Sequence, residues 1–398
     1  MIFKLKHIIS ALTLACCIAI GTYIRSYFFD TTPPNLDFVG IEQDRYYAGE
    51  INCAIATDKR GDLCVWLDET PLIQHFALPN SKQKYPFSIP TRSIANGKHT
   101  LSIELTDNTF YKHKTKTTKD FYVDNVPLQA AFVKPDADYK VFQGRTLHIQ
   151  FQANKDIEKA HVRALATQYD CYPESKNSSI YECFIPIPCE ETPNEYLFSV
   201  EVADRVGNQL TLDNKFQIVM FPFKKSVLTV DAAYVMAERE KGLSHQELET
   251  RLEQLAQASP KTKMWRGTFC VPIEIQRTTT EFGTLRTTQE RGRYMHKALD
   301  VVNVPRSVVW ATQDGVVVLK ERFELSGNTI VIDHGCGILS LFYHLEDFAN
   351  VEVGQKVAKG NPIGTLGKTG YAKGYHLHWE QRVNNIAVDP MQWTKETF

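Results

Sequence analysis

Apolar and polar residues alternate in short runs along much of the first half of the chain. Examples are residues 50–56, 99–105, 146–151 and 196–202, and turn residues separate such runs. A period of two residues is that of a β-strand with one buried face. Because the same succession occurs twice, we predict two β-sandwich modules, at residues 35–126 and 127–222.

An apolar run from Ile8 to Ile24 follows Lys4 and Lys6 at the amino terminus. Its length is close to the ~17–25 residues that span a bilayer, and the positive charges before it favour an orientation that exports the rest of the chain. We therefore predict a signal anchor or signal peptide at residues 1–30. An anchor would hold the protein in the cytoplasmic membrane facing outward, into the periplasm. Cleavage after the small-x-small sequence at residues 19–21 would instead release a secreted protein.

Beyond residue 222 the alternation gives way to a helical pattern. Residues 231–241 are rich in Ala and Glu, and a capping-box sequence at residues 244–247 begins a second helix. Three leucines of that helix share one face: Leu248, Leu252 and Leu255. We predict a short helical connector at residues 223–261, packed on the neighbouring domains.

Strand-like runs return after residue 262, at residues 314–319, 328–333 and 338–343, and Gly-rich turns join them. Few helices fit this stretch. We predict a mostly antiparallel β domain at residues 262–398, so the whole chain is expected to be mainly β.

Three short motifs in this last domain carry side chains that can ligate metals. They are residues 296–300, which begin with His and end with Asp, residues 343–345, and the His-Leu-His sequence at residues 376–378. On a strand expected at residues 375–383, His376 and His378 are two apart and point into one cleft. A histidine, an aspartate and a second histidine can supply three ligands to Zn²⁺ and leave a fourth position for water. Two further histidines then remain for acid–base chemistry.

These motifs occur in order with others that are typical of a known family. The others are Phe282-Gly283, Arg286, and the short sequences at residues 314–316, 332–335, 353–357, 364–367, 370, 376–380 and 389–390. Together, over about residues 265–393, they resemble the LytM/lysostaphin-type (M23) zinc endopeptidases of bacterial cell walls. His334 lies in an Asp-His-Gly sequence of the family and is interpreted as structural. In one departure, Ala298 replaces the Gly that the family usually has two residues before the metal Asp, which predicts a small backbone adjustment.

The resemblance implies a role for each of five side chains. His296, Asp300 and His378 match the metal ligands of one Zn²⁺ per chain, and His344 and His376 match two catalytic histidines outside the metal shell. The implied activity is that of a zinc metalloendopeptidase, which hydrolyses the peptide cross-links of peptidoglycan with a metal-activated water. The implied fold is an antiparallel-β LytM-type peptidase domain behind a membrane anchor, two immunoglobulin-like β-sandwich modules and the helical connector.

Two other functions remain open from the sequence. Some relatives in this family lack metal residues and activate a wall amidase without hydrolysing the wall, but here all five positions are filled. The β-modules could also make the protein mainly an envelope adhesin, although no site stands out in them and a structural spacer is favoured. The formal net charge of −1 predicts no nucleic-acid partner. Protein partners are not indicated.

Overall fold

The computed structural model describes residues 2–78, 84–134, 138–227, 242–288 and 292–398. The chain forms two compact units, Met1–Pro127 with Arg205–Asn208, and Leu128–Asp204 with Gln209–Phe398. Most of the described residues with regular structure lie in strands, so the predicted mainly β class is confirmed.

An apolar helix, α1 (Ile2–Phe28), begins the first unit. Its stretch Ser10–Phe28 has 19 residues with a hydropathy of 1.4 and is long and apolar enough to cross a membrane. None of this stretch is buried inside the protein. An amino-terminal signal sequence has the same properties. The helix therefore agrees with the prediction for residues 1–30, both as a signal anchor and as a signal peptide.

Two sheets share one core in the first β-module. Its strands are β1 (Leu36–Val39), β2 (Tyr46–Tyr47), β3 (Glu50–Thr57), β4 (Gly61–Leu67), β5 (Thr70–Leu78), β6 (Tyr85–Pro90), β7 (Gly97–Asp107) and β8 (Lys114–Val123). One sheet has the order β1-β3-β6 and the other β2-β8-β7-β4-β5. Alternate residues of β4 and β7 are buried, and they meet residues of β3 in the core. The period-two pattern thus marks real half-buried strands.

The second β-module repeats this two-sheet design. Its strands are β9 (Ala130–Phe132), β10 (Tyr139–Phe142), β11 (Thr146–Ala153), β12 (Ile157–Ala164), β13 (Thr167–Asp170), β14 (Tyr172–Pro173), β15 (Ile180–Pro186), β16 (Glu195–Asp204) and β17 (Gln209–Val219). The sheets have the orders β10-β17-β16-β12-β13 and β14-β15-β11-β9. Phe151 and Val200, one from each sheet, are fully buried in a common core. The immunoglobulin-like character of the two modules, and the predicted domain boundaries, stay predictions.

One large antiparallel sheet dominates the carboxy-terminal part of the chain. The elements are β18 (Lys225–Val227), α2 (Gly242–Ala258), β19 (Arg277–Thr280), β20 (Thr284–Thr288), β21 (Gly292–His296), β22 (Leu299–Val302), β23 (Val308–Trp310), β24 (Gly315–Phe323), β25 (Gly327–Asp333), β26 (Ile338–Leu345), β27 (Lys356–Val357), β28 (Pro362–Thr365), β29 (Leu377–Val383), β30 (Ile386–Val388) and α3 (Pro390–Lys395). The large sheet has the order β19-β22-β29-β26-β25-β24-β27, with β30 beside β29. All its described pairings are antiparallel, as predicted.

Helix α2 packs on this sheet. Leu248 and Leu252 are buried with residues of β24, β25 and β26, and Leu255 packs beside them. The apolar stripe that the sequence shows is therefore the face that the helix buries. The predicted second helix is confirmed, whereas the helix predicted at residues 231–241 lies outside the described residues.

The second β-module and the carboxy-terminal part share a packed boundary within their unit. The side chain of Gln392 accepts a hydrogen bond from the Thr146 amide at 2.7 Å and donates one to the Thr146 carbonyl at 3.0 Å. Nearby, Lys263 Nζ lies 2.7 Å from Glu182 Oε1. Phe184 of the module is buried in one cluster with Trp393. These contacts combine apolar burial with satisfied polar groups, as in a domain interior.

Candidate metal centre

Strand register brings Asp300 and His378 together. Asp300 on β22 is the direct antiparallel partner of His378 on β29. Their side chains lie on one face of the sheet, and His378 Nδ1 is 2.9 Å from Asp300 Oδ1. Residues 78 positions apart in sequence therefore meet because two neighbouring strands pair in this register.

His296 completes a group of three donors. It ends β21, and its Nε2 lies 3.0 Å from Asp300 Oδ2, with its ring 5.1 Å from that of His378. Donor atoms of the three residues all lie within 4.8 Å of one another. His296 Nε2 is buried and has no hydrogen-bond partner among the described residues, since its approach to Asp300 lacks hydrogen-bonding geometry. A buried, unsatisfied nitrogen beside a carboxylate fits a bound cation.

The charges at this group favour a cation as well. Burial alone would raise the pKa of Asp300, but the imidazoles of His296, 3.0 Å from Oδ2, and His378, 2.9 Å from Oδ1, outweigh it and hold that pKa well below its usual range. Burial lowers the pKa of His296. Burial opposes protonation of His378 too, yet its hydrogen bonds to Asp300 and Glu380 raise its pKa to about 9, so His378 must lose a proton before it can ligate a metal. Asp300 is therefore a carboxylate at neutral pH, the form that ligates metals.

His344 lies at the end of β26 with a left-handed backbone, φ +62°. Its Nδ1 is 2.9 Å from the Thr369 carbonyl oxygen, which can only accept, so Nδ1 carries the hydrogen and Nε2 a lone pair. Burial is the main cause that lowers its pKa, to about 3. His344 is thus neutral at neutral pH and has one nitrogen able to accept a proton.

His376 lies beside His344 but not on the strand that the sequence predicted for it. Strand β29 begins at Leu377, two residues later than expected. The prediction that His376 and His378 lie on one strand is therefore wrong for His376. The ring of His376 nevertheless packs 4.8 Å from that of His344, which in turn lies 6.0 Å from that of His378. All five predicted site residues therefore meet in one cluster.

Gly367 holds the backbones of the two extra histidines together. A Cβ at this position would lie 2.5 Å from the His344 carbonyl oxygen and 2.1 Å from the Glu346 nitrogen. The Gly367 carbonyl accepts a hydrogen bond from the His376 amide at 3.1 Å. Only glycine allows this close approach, which explains the glycine in the motif at residues 364–367.

A second layer of side chains supports the donors. Glu380 Oε1 lies 3.0 Å from His378 Nε2, and the ring of Tyr343 stacks on that of His378 at 5.0 Å and 6°. Arg286 donates to Asp300 Oδ2 at 3.1 Å. The motifs predicted no role for these residues, although Glu380 is two positions after His378 on a predicted strand and so faces the same side.

His334 lies apart from this group. Its Nδ1 is 2.7 Å from the Asp314 carbonyl oxygen and its Nε2 is 2.8 Å from Ser340 Oγ. Burial lowers its pKa to about 4. Its contacts agree with the structural role that was predicted for it.

The family model described as Peptidase family M23 matches residues 294–390, a range that contains all five residues. Residues 294–390 of this chain are thus an M23 peptidase domain. The M23 domain is thus confirmed where the motifs predicted it. The roles of its five residues stay predictions.

Curated relatives match over part of the chain. Peptidoglycan DD-endopeptidase ShyC of Vibrio cholerae is 33% identical over 120 residues, which are 30% of this chain and 28% of ShyC. DD-carboxypeptidase/endopeptidase Mpg of Neisseria meningitidis is 36% identical over 97 residues, 24% of this chain and 22% of Mpg. The chain thus spans less than a third of the length of these relatives.

Solved structures also match. A peptidase M23 structure from Pseudomonas aeruginosa is 21% identical with a TM-score of 0.43 and covers 64% of this chain and 94% of its own. The catalytic domain of lysostaphin from Staphylococcus simulans is 28% identical with a TM-score of 0.28, and the match covers 30% of this chain and 92% of that domain's chain.

Proposed function

We propose that this protein is a zinc-dependent metalloendopeptidase that hydrolyses peptide cross-links of bacterial peptidoglycan. The observation that carries the proposal is the buried Nε2 of His296, which has no hydrogen-bond partner among the described residues and lies in one group of donors with Asp300 and His378. His344 and His376 lie next to this group. Relatives named as peptidoglycan DD-endopeptidases support the substrate class.

His296, Asp300 and His378 would hold one Zn²⁺ per chain. A zinc ion held there would supply Lewis acidity, polarising an amide carbonyl and lowering the pKa of a water molecule to about 7. The donor set of two imidazoles and one carboxylate is one that zinc accepts while keeping a fourth position open.

His344 is the residue best placed to take a proton from the attacking water. Its Nδ1–H is directed at the Thr369 carbonyl, so the lone pair on Nε2 is free of that bond. Because its pKa lies near 3, the ring is unprotonated when the reaction starts. Proton transfer by such a group contributes typically ~10²–10⁴-fold to rate.

His376 would act on the other side of the reaction. It is more exposed than His344, and its Nδ1 lies 2.9 Å from the Gly374 carbonyl oxygen. Its Nε2 edge is therefore available to stabilise the developing oxyanion or to protonate the leaving amine.

We place this activity in the cell envelope. Helix α1 would anchor the protein in the cytoplasmic membrane with the M23 domain facing the periplasm, or the helix would be removed and the protein secreted. The two β-modules would then act as spacers between membrane and peptidase. No nucleic-acid partner is proposed.

Digestion of purified peptidoglycan by the detergent-solubilised full-length protein tests the proposal. We expect fragments whose masses report cleaved peptide bonds, loss of these fragments after chelation, and their return with one equivalent of zinc. The matched control is Asp300→Asn, which keeps the shape of the side chain but removes its charge. A zinc-loaded protein that releases no fragments would instead support the amidase-activating function.

A further inference from the structure

We propose that Glu249, on helix α2, is a positioning residue for the metal site and acts on His378 through Arg382 and Glu380. The inference rests on the proposed function, because it concerns how one ligand of that site is held. Glu249 lies outside the stretch matched by the M23 family model, residues 294–390. The structure thus assigns part of the support of the site to the connector.

A continuous series of charged contacts joins Glu249 to His378. Glu380 Oε1 lies 3.0 Å from His378 Nε2, and Glu380 Oε2 accepts a hydrogen bond from Arg382 Nε at 2.8 Å. Arg382 Nη1 and Nη2 donate to the two carboxylate oxygens of Glu249, each at 2.8 Å. The side chains of Glu380 and Arg382 are 7% and 8% exposed, and that of Glu249 is 39% exposed. The two inner members are therefore shielded from water.

The geometry of Arg382 explains why Glu249 matters to a ring it does not touch. A guanidinium binds a carboxylate best through two parallel hydrogen bonds. Glu249 occupies that pair of donors, and Asn385 Oδ1 also accepts from Nη1 at 3.0 Å, which leaves Nε for a single bond to Glu380. Glu380 consequently keeps its other oxygen for His378. Without the carboxylate of Glu249, one neutral hydrogen bond to Asn385 competes with Glu380 for the guanidinium, which can then turn to take both oxygens of Glu380.

The orientation of His378 depends on that remaining oxygen. A metal-ligating histidine is oriented by the partner of its other ring nitrogen. With Nε2 held by Glu380, Nδ1 faces Asp300 at 2.9 Å and belongs to the group of three donors. Weakening the Glu380 contact would let the ring turn and would also make it a poorer donor.

The same helix supports His378 by packing. Leu248 and Leu252 are buried in one cluster with Tyr343, whose ring stacks on that of His378. Helix α2 therefore reaches the ligand by two routes, one charged and one apolar. The charged route can be removed without touching the apolar one.

The experiment uses the detergent-solubilised full-length protein with Glu249→Gln, Glu249→Asp and Arg251→Gln. Arg251 is the matched control, because it pairs the same helix with Glu321 on β24 of the same sheet, and among the described residues this pair is not part of the charged series that leads to His378. Zinc affinity is measured by competition with a chromogenic chelator, and the Co²⁺-substituted proteins are compared by absorption spectrum. Steady-state kinetics on peptidoglycan separate kcat from KM, and thermal melting checks the fold.

We expect Glu249→Gln to weaken zinc binding about 10-fold, the lower end of the range for outer partners of metal ligands, and to alter the Co²⁺ spectrum. Its kcat should fall with little change in KM. Glu249→Asp should recover part of the affinity, and Arg251→Gln should match the wild type. Arg382→Lys, which keeps the charge but loses the fork, should weaken zinc binding like Glu249→Gln and serves if that variant does not fold.

Wild-type zinc affinity and Co²⁺ spectrum in Glu249→Gln would overturn the inference while leaving the proposed function intact. An equal loss in Arg251→Gln would overturn it too, because helix docking in general would then be the cause. A wild-type protein that binds no zinc would instead overturn the proposed function.

Discussion

At the scale of single residues, the site separates groups suited to hold a cation from groups suited to move a proton. Asp300 is held ionised by the neighbouring imidazoles of His296 and His378, whereas His344 is held neutral mainly by burial. The pKa of His378 is raised because its ring contacts two carboxylates. The pKa of His344 is lowered, and its ring contacts a carbonyl instead. Environment, and not residue type, sets the direction of these two pKa shifts.

Alanine variants should fail differently because of this separation. His378→Ala removes one of three proposed ligands, so zinc binding should drop sharply. His344→Ala and His376→Ala leave the three donors in place, so they should stay zinc-loaded and folded but lose ~10²–10⁴-fold in rate. The measurement is zinc stoichiometry beside the hydrolysis rate. His161→Ala, which removes a histidine paired with Glu201 in the second β-module, is the control. A zinc-free His344→Ala protein would contradict the assigned roles.

At the scale of elements, β22, β29 and α2 build the site together. The register of β22 against β29 sets Asp300 opposite His378, and β26 on the other side of β29 presents Tyr343 and His344. Helix α2 covers the face of β24, β25 and β26 with Leu248 and Leu252. The helix is thus a structural part of the sheet that carries the site.

Truncating the buried stripe of α2 should destabilise this unit. Leu252 is fully buried, so Leu252→Ala should lower the free energy of unfolding by ~2–5 kcal/mol through lost burial and the cavity left behind. Leu255→Ala should cost less, since Leu255 is only partly buried. Denaturant unfolding of both variants measures the difference. Equal and small effects would show that the helix is not held by this face.

At the scale of the molecule, an ion pair with a buried carboxylate joins Glu182 of the second β-module to Lys263, which precedes the stretch that matches the M23 family. Burial would raise the pKa of Glu182, but hydrogen bonds from His148 and Lys263 outweigh it and lower that pKa. Glu182 Oε1 lies 2.7 Å from Lys263 Nζ, and Glu182 Oε2 lies 3.0 Å from His148 Nε2. Because the pKa of Glu182 is lower in the folded protein than in the unfolded chain, its carboxylate stabilises the fold above the unfolded pKa of about 4.3. This contribution is lost as the pH falls through the pKa that Glu182 has in the folded protein.

Glu182→Gln should therefore destabilise the protein at pH 7, by about 3 kcal/mol, because it leaves buried Lys263 without its anion. The difference in melting temperature from the wild type should shrink as pH falls below about 4, where the wild-type carboxylate gains its own proton. Melting curves across this range test it. Glu195→Gln, which breaks an exposed pair with Lys215, should change little at any pH. A pH-independent difference for Glu182→Gln would contradict the pKa direction.

We predict from α1 on which side of the cytoplasmic membrane the rest of the chain lies. Lys4 and Lys6 precede its apolar stretch, so the residues after it should lie outside the cytoplasmic membrane. Alkaline phosphatase fused after residue 398 should be active in intact cells, since that enzyme works only when exported. Replacing Lys4 and Lys6 with Glu should reduce this activity. An inactive fusion to the unchanged chain would show the opposite orientation.

Local pattern carried most of the information about the fold. Period-two runs predicted the strands of both β-modules, the spacing of Leu248 and Leu252 predicted a helix with one buried face, and ordered motifs predicted the M23 domain and its five site residues. These features can be predicted from the sequence because strand and helix periods depend on residues that are close together in the chain. Metal donors can be predicted because their chemistry depends on residue type.

Tertiary structure decided what depends on distant segments. Only the strand register places Asp300 against His378, only the Thr369 carbonyl fixes which nitrogen of His344 carries its hydrogen, and only the docking of α2 brings Glu249 to Arg382. The sequence placed His376 on a strand that begins one residue after it, because a boundary depends on pairing with neighbours and not on local period. Contacts between residues far apart in the chain leave no periodic trace, so their geometry had to come from the folded chain.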